Sequence, residues 1–391
     1  MKLLFIQQGL GFGGATKSLL VMLNKLKDEN EIHVVSLPVS TRSRVIIPEF
    51  VKIGYFKEMK LGTVVSYAYE TDSINNFERT INVYPSELIE YINSFQIDVV
   101  HINSSLFSHL LEPIKNNTDA KLVVHIREML PNGIEHAIDK YIIERTEKFS
   151  DAIIFISDNE TRFFSTSSKI FILPNPHDFN ETEPFLNTKK PDEFPIVIGM
   201  CANFIKYKGH LDFLRAAKLI NQKYSNPQNL RFQIIGYPHK SFKLRDIVKK
   251  VLRVGYKSKF DREVKRLGIN NLTITAFTLN IYQEISNIDI YVRPDITGHP
   301  WGRDIIEAMA LKKPIVATGT SEFYIENGRT GYLVPSKNPM ILAEKIMELI
   351  NNQEIRKKFG EAGFEKIKNM CDLEAFNNKM LSIYLNLTND R

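Results

Sequence analysis

Short apolar runs rich in β-branched residues alternate with longer helix-spaced stretches along this chain, and the alternation occurs twice. The first series comprises Leu3–Ile6, Ile32–Leu37, Val99–Ile102, Leu122–Ile126 and Ile153–Ile156. The second comprises Ile196–Met200, Arg231–Ile235, Leu272–Thr275, Ile288–Val292, Pro314–Ala317 and Tyr332–Val334. Fully apolar runs of this length, separated by amphipathic segments, are the pattern of βα units around a parallel sheet. The helix-spaced stretches include Thr16–Lys27 and Leu211–Ile220.

Between the two series lies Leu173-Pro174-Asn175-Pro176-His177, followed by an irregular stretch with Pro184, Pro191 and Pro195. It reads as a linker, with the boundary near 180–195. The expected organisation is a first Rossmann-like domain over 1–185, a second over 186–372, and a C-terminal helix over 373–391 that could cross back to the first. Two similar α/β halves on one linker imply a cleft between them, a usual place for a ligand. A chain of 391 residues is long enough for both.

Composition narrows the class. Hydrophobic residues make up 43% and charged residues 25%, the balance of a globular protein rather than a disordered or fibrous one. Cys201 and Cys371 are the only cysteines; they make neither a disulfide framework nor a metal-ligand cluster, which fits a reducing compartment. No apolar run approaches the ~20 residues of a membrane span, and Leu3–Ile6 is too short for a signal-peptide core. The expectation is a cytoplasmic protein.

The net charge of +6 is uneven. Residues 240–266 hold eleven Lys or Arg against three acids, a local +8 that leaves the rest of the chain at −2. Leu244, Ile247, Val248, Val251 and Leu252 follow helical spacing there. Such a helix could lie on an anionic membrane at the inner face, or pack on its own domain with its charges in water. No nucleic-acid motif accompanies the charge, so nucleic acid is not an expected partner.

Four stretches could carry chemistry. Gly9-Leu10-Gly11-Phe12-Gly13-Gly14 follows the first strand, where glycine lets backbone approach a ligand and a helix N-terminus offers free N–H groups to an anion. An ordinary turn would look the same, and the spacing is not that of dinucleotide folds. Asn203-Phe204-Ile205-Lys206-Tyr207-Lys208-Gly209-His210 opens the second half; its two lysines could hold a diphosphate or simply face water.

The third stretch runs from Arg293 through His299-Pro300-Trp301-Gly302-Arg303 to Glu307 and Leu311. Glu307 is the one carboxylate in the apolar helix pattern Ile305–Leu311, costly to bury unless bonded. A ribose diol would suit it; facing solvent or pairing with a lysine would do as well. In the fourth, Val124-His125-Ile126-Arg127-Glu128, His125 ends a strand, where open parallel sheets place functional groups. It could bond a sugar hydroxyl or be structural. His101 holds a similar position.

Taken together these residues resemble glycosyltransferase family 4, the retaining enzymes of the GT-B fold, over nearly the whole chain. Gly13-Gly14 resembles the family's N-terminal Gly-Gly loop. His125 stands where the family places a cleft histidine near the donor sugar, and Lys208-Gly209 resembles the signature whose lysine binds the diphosphate. Pro300-Trp301-Gly302 through Glu307-Ala308-Met309-Ala310 resembles the Glu-x7-Glu element, followed by Gly328-Arg329-Thr330-Gly331-Tyr332-Leu333. His299 replaces the first glutamate of that element, and Asn203 replaces the usual arginine ahead of the lysine, with Lys206 nearby.

The resemblance implies an α/β, GT-B protein with two Rossmann-like domains facing each other across a cleft. It implies transfer of a hexosyl or N-acetylhexosaminyl group from a UDP- or GDP-sugar to a glycan or lipid-linked acceptor, in bacterial surface polysaccharide or glycoconjugate synthesis. His125, Lys208 and Glu307 are the expected catalytic residues. Gly13, Gly14, Asn203, Lys206, Lys208, His299, Trp301, Gly302, Arg303 and Glu307 are expected to bind the donor. No metal or other cofactor is expected. Competing readings are a GT-B partner subunit with impaired catalysis and a GT-B nucleotide-sugar epimerase.

Overall fold

The computed structural model describes residues 1–8, 13–38, 47–62, 81–128, 130, 136–165, 167–186, 195–238 and 255–389. Two compact units emerge. One is Met1–His177 together with Cys371–Arg391, the other Asp178–Met370. The division therefore falls ahead of the 185/186 boundary read from sequence. Gly9–Phe12, part of the linker, and the apolar stripe of the basic segment at Leu244–Leu252 lie outside the described residues.

The first unit is built on seven parallel strands: β1 (Lys2–Gln7), β2 (Glu31–Ser36), β3 (Tyr55–Glu58), β4 (Val99–Ile102), β5 (Lys121–Ile126), β6 (Ala152–Phe155) and β7 (Ile170–Ile172). Their order is β3-β2-β1-β4-β5-β6-β7. The side-chain period of two sorts their residues into two cores. Leu4, Ile6, Val100, Ile102, Val124 and Phe155 join one; Leu3, Phe5, Val99, Val123 and Ile154 join the other. Both faces are covered, so the strands read as unbroken apolar runs.

Helix α1 (Gly14–Leu26) covers the second face with Leu19, Met22, Leu23 and Leu26. The helix Leu373–Asn389 shares that face, burying Phe376, Met380, Ile383 and Tyr384 in the same core.

The second unit repeats the design with β8 (Ile196–Cys201), β9 (Leu230–Tyr237), β10 (Leu272–Ala276), β11 (Ile290–Arg293), β12 (Ile315–Thr318) and β13 (Gly331–Val334). All are parallel, in the order β10-β9-β8-β11-β12-β13. Helix α2 (His210–Lys223) packs Phe213, Leu214, Ala217 and Ile220 against Ile198, Met200 and Ile234. Helix α3 (Arg303–Ala310) follows β11 and is buried at seven of its eight positions.

In each sheet the winding direction reverses once, between β1 and β4 and between β8 and β11. Such a reversal opens a crevice outside the carboxyl ends of the two central strands, because the crossovers on either side leave in opposite directions.

Candidate active site

In the second unit the reversal brings together the loops after β8 and β11. The turn Lys206–Lys208 ends at Gly209, whose φ of +76° begins α2. Glycine is required there twice over: the conformation is left-handed, and a Cβ would lie 1.7 Å from the carbonyl oxygen of Pro294. The backbone N–H of Ile296 donates to the carbonyl of Tyr207 at 2.8 Å, stitching the loops together.

This contact carries Lys208 onto Asp295. Lys208 Nζ donates to Asp295 Oδ2 at 3.2 Å. Asp295, 1% exposed, also accepts from the Thr297 backbone at 3.0 Å and from the Thr297 hydroxyl. Burial alone would raise the Asp295 pKa, but Lys208, Arg293 and Thr297 hold it below its ordinary value. Burial lowers the pKa of Lys208, helped by the nearby Arg293 and opposed by Asp295.

Arg293 ends β11. Its Nε donates to the His299 carbonyl at 3.0 Å, and its guanidinium pairs with Asp304. A Cβ at Gly302 would stand 2.5 Å from Asp304 Oδ1 and 2.7 Å from Arg293 Nη1, so this ion pair needs a glycine beneath it. His299 sets Nδ1 2.9 Å from the Thr297 hydroxyl and packs edge-on against Trp301 at 4.8 Å between ring centroids. Burial pushes its pKa down to about 4. It is a neutral imidazole where the resemblance expects a carboxylate.

Glu307 lies inward on α3, 5% exposed, and Arg303 one turn earlier is 6% exposed. Arg303 Nε donates to Glu307 Oε1 at 3.2 Å. The sequence leaves solvent or a lysine open beside the diol; Glu307 is instead buried, and it bonds an arginine one helical turn earlier. A carboxylate has acceptor sites on both oxygens, so this bond to Oε1 is compatible with a diol on the same group.

The structure therefore gathers Lys208, His299, Trp301, Gly302, Arg303 and Glu307 around the β8/β11 reversal. Asn203 and Lys206 are exposed, and their side chains join none of these contacts among the described residues. Arg293, Asp295 and Asp304 were not assigned from sequence; the signal available was a charged triplet-end, Arg293-Pro294-Asp295, closing an apolar strand.

The first unit has its own polar cluster at the carboxyl ends of β1, β4 and β5. Gly13 and Gly14 open α1 there, and among the described residues nothing lies within 4 Å of where a Gly13 Cβ would stand. Gln7 donates to Thr16 Oγ1 at 3.0 Å, Asn103 to Gln7 Oε1 at 2.6 Å, and Arg127 Nε to Asn103 Oδ1 at 2.7 Å. Arg127 also bonds Asn175 and sets Nη2 3.3 Å from His125 Nδ1. His125 has no exposed surface; burial, Arg127 and His101 hold its pKa well below the ordinary value. Its ring lies edge-on to His101 at 5.4 Å.

Helices α1, α2 and α3 share one further property. Each begins after a central strand with glycine at the cap position, Gly13, Gly209 or Gly302, so the cap residue itself supplies no side-chain hydrogen bond. The N-terminus of a helix is a place where an anion can bind. Among the described residues no three His, Cys, Asp or Glu side chains are placed to hold a metal ion, and no helix is long and apolar enough to cross a membrane.

Two parallel α/β units with these strand orders form the GT-B fold of glycosyltransferases. Residues 181–366 match the family model described as glycosyl transferases group 1, a span that covers nearly all of the second unit. Anabaena Alr3699/HepE, solved in complex with UDP and glucose, superposes with a TM-score of 0.76 at 16% identity over 98% of each chain.

Among curated proteins, a phosphatidyl-myo-inositol mannosyltransferase of Mycobacterium leprae (strain TN) is 33% identical over 82 residues, 20% of this chain and 22% of its own. A poly(ribitol-phosphate) alpha-N-acetylglucosaminyltransferase of Staphylococcus aureus (strain COL) is 23% identical over 252 residues, 63% of this chain and 46% of its own. The matches thus span less than half the length of these relatives. Together the family model and the fold support a glycosyltransferase family.

Proposed function

We propose that this protein is a retaining glycosyltransferase of family 4 that moves a sugar from a UDP- or GDP-sugar to a glycan or lipid-linked acceptor. The products would be surface polysaccharides or glycoconjugates; the two relatives are named for transfer of mannosyl and N-acetylglucosaminyl groups with phosphatidyl-myo-inositol and poly(ribitol-phosphate). The observation that carries the reading is the stitching of Lys208 to the β11 loop beside two uncapped helix starts, at Gly209 and Gly302. It offers a cation and two helix N-termini on one crevice edge, as a leaving diphosphate requires.

In this reading the bond from the anomeric carbon to the diphosphate oxygen breaks as the acceptor oxygen attacks the same face. The acceptor proton passes to the leaving phosphate oxygen, so no side chain acts as nucleophile. Lys208 and the N–H groups of α2 and α3 stabilise the departing charge, and Glu307 accepts from the ribose hydroxyls. The neutral His299 offers a hydrogen bond to the sugar where a carboxylate would offer charge. Catalysis is then positioning plus electrostatics, and the reading assigns no role to a metal.

The test is hydrolysis or transfer from a panel of UDP- and GDP-sugars by the pure protein, with the product anomer read by NMR. Release of nucleotide with a retained anomer supports the reading. An inverted anomer refutes the retaining mechanism, and epimerised donor without transfer favours the epimerase. Nucleotide binding with no turnover on any donor favours a non-catalytic partner subunit.

A further inference from the structure

We propose that Arg127 is a positioning residue that fixes His125 as a neutral imidazole carrying its proton on Nε2. A guanidinium only donates, so at the 3.3 Å contact His125 Nδ1 must accept. A neutral imidazole whose Nδ1 accepts carries its proton on Nε2.

Arg127 is itself held in place. Its Nε bonds Asn103 Oδ1 at 2.7 Å and its Nη1 bonds Asn175 Oδ1. Because Asn103 Oδ1 is taken, its amide nitrogen turns to Gln7 Oε1 at 2.6 Å, and the Gln7 nitrogen turns to Thr16 Oγ1 at 3.0 Å. Each amide orientation follows from the one before, and the series ends in the first turn of α1.

Among the described residues, no anion is recorded as acting on His125. The groups facing its ring are Arg127 and His101; beyond His101 lies Tyr384, whose hydroxyl is 2.7 Å from His101 Nδ1. A protonated His125 would set two cations 3.3 Å apart in a buried site. Glu128, the next residue along, is turned away to Ser104 and Ser105 at 2.6 to 2.9 Å.

His125 Nε2 is buried and has no hydrogen-bond partner among the described residues. An unsatisfied buried donor is unfavourable, and an arriving acceptor oxygen relieves that cost. His125 is therefore a hydrogen-bond donor to a ligand oxygen and never a proton acceptor in the reaction. This role rests on the proposed function; the tautomer does not.

Histidine-labelled 15N NMR of the full chain tests it, with the His125 signals assigned by their loss in His125→Asn. The expected wild-type state is Nε2–H with no titration between pH 5.5 and 8. In Arg127→Met the resonance pattern leaves the pure Nε2–H form and the imidazole begins to titrate, while Arg127→Lys restores the wild-type tautomer in part. Donor turnover should follow, with kcat in Arg127→Met down about tenfold or more and donor KM within about threefold. An Nδ1–H tautomer in the wild type overturns the proposal, even if no variant folds. So does an unchanged tautomer in Arg127→Met. Correct tautomers in a protein without turnover would instead count against the glycosyltransferase reading alone.

Discussion

Lys208 Nζ stands 3.2 Å from Asp295 Oδ2, so the cation best placed for a diphosphate is held by a buried carboxylate from the next central strand. Asp295 also lies 3.6 Å from the guanidinium of Arg293. One carboxylate thus serves two cations, and it sets the lysine's position before any ligand arrives.

Replacing that carboxylate should therefore cost more stability than replacing the lysine. Asp295→Asn leaves Lys208 and Arg293 without their shared counterion and should lower the unfolding free energy by about 3 kcal/mol. Lys208→Ala leaves Asp295 bonded to Thr297 and near Arg293, and should cost about 1 kcal/mol. Urea unfolding measures both; equal losses would mean that Asp295 does not organise this site.

Gly209→Ala should break the loop rather than the chemistry. The left-handed φ of +76° costs about 1–2 kcal/mol for alanine, and the methyl would collide with the Pro294 carbonyl. A total loss of at least about 2 kcal/mol is expected, with weaker nucleotide binding. A variant of wild-type stability would show that the Lys208 turn does not need this close approach.

The Arg303–Glu307 pair separates binding from stability. Glu307→Met alone strands a buried guanidinium and should cost about 3–5 kcal/mol. Changing both residues to Met removes both charges and should recover most of that loss. If Glu307 holds the ribose, nucleotide affinity stays low in the double variant. If affinity returns with stability, the glutamate is only Arg303's counterion.

Acid should destabilise the fold through its histidines. Burial holds His101 down to about 3 and His109, His210 and His299 to about 4, against an ordinary 6.5. Below 6.5 the unfolded chain binds protons that the native state refuses. The stability these groups contribute is therefore complete above 6.5 and is lost as pH falls toward 4. Urea midpoints should decline from pH 7 to pH 5; a flat or rising trend would contradict the buried neutral imidazoles.

Most of the architecture was legible because both sheets are buried on both faces. Runs such as Leu3–Ile6 and Val99–Ile102 stand out as β1 and β4 for that reason. The strands missed, Tyr55–Glu58 and Ile170–Ile172, lie at the two ends of the first sheet. The first alternates no apolar face and the second is three residues long, so neither leaves a periodic signal. In the second unit the motifs pointed to Lys208, Arg303 and Glu307, but not to Asp295. Asp295 lies 87 residues beyond Lys208, and only the pairing of β8 with β11 brings the two loops together. Arg127 stands two residues from His125 in sequence, but its other partners, Asn103 and Asn175, come from separate segments that only the fold brings to it.

The central claim is that the second unit holds a nucleoside diphosphate through Lys208. Isothermal titration of UDP and GDP into the wild type and Lys208→Ala tests it most directly. The account predicts saturable binding of one nucleotide by the wild type and about tenfold to hundredfold weaker binding by the variant, the worth of one charge-assisted hydrogen bond. Wild-type protein that binds neither nucleotide, or a variant that binds as tightly as wild type, would contradict it.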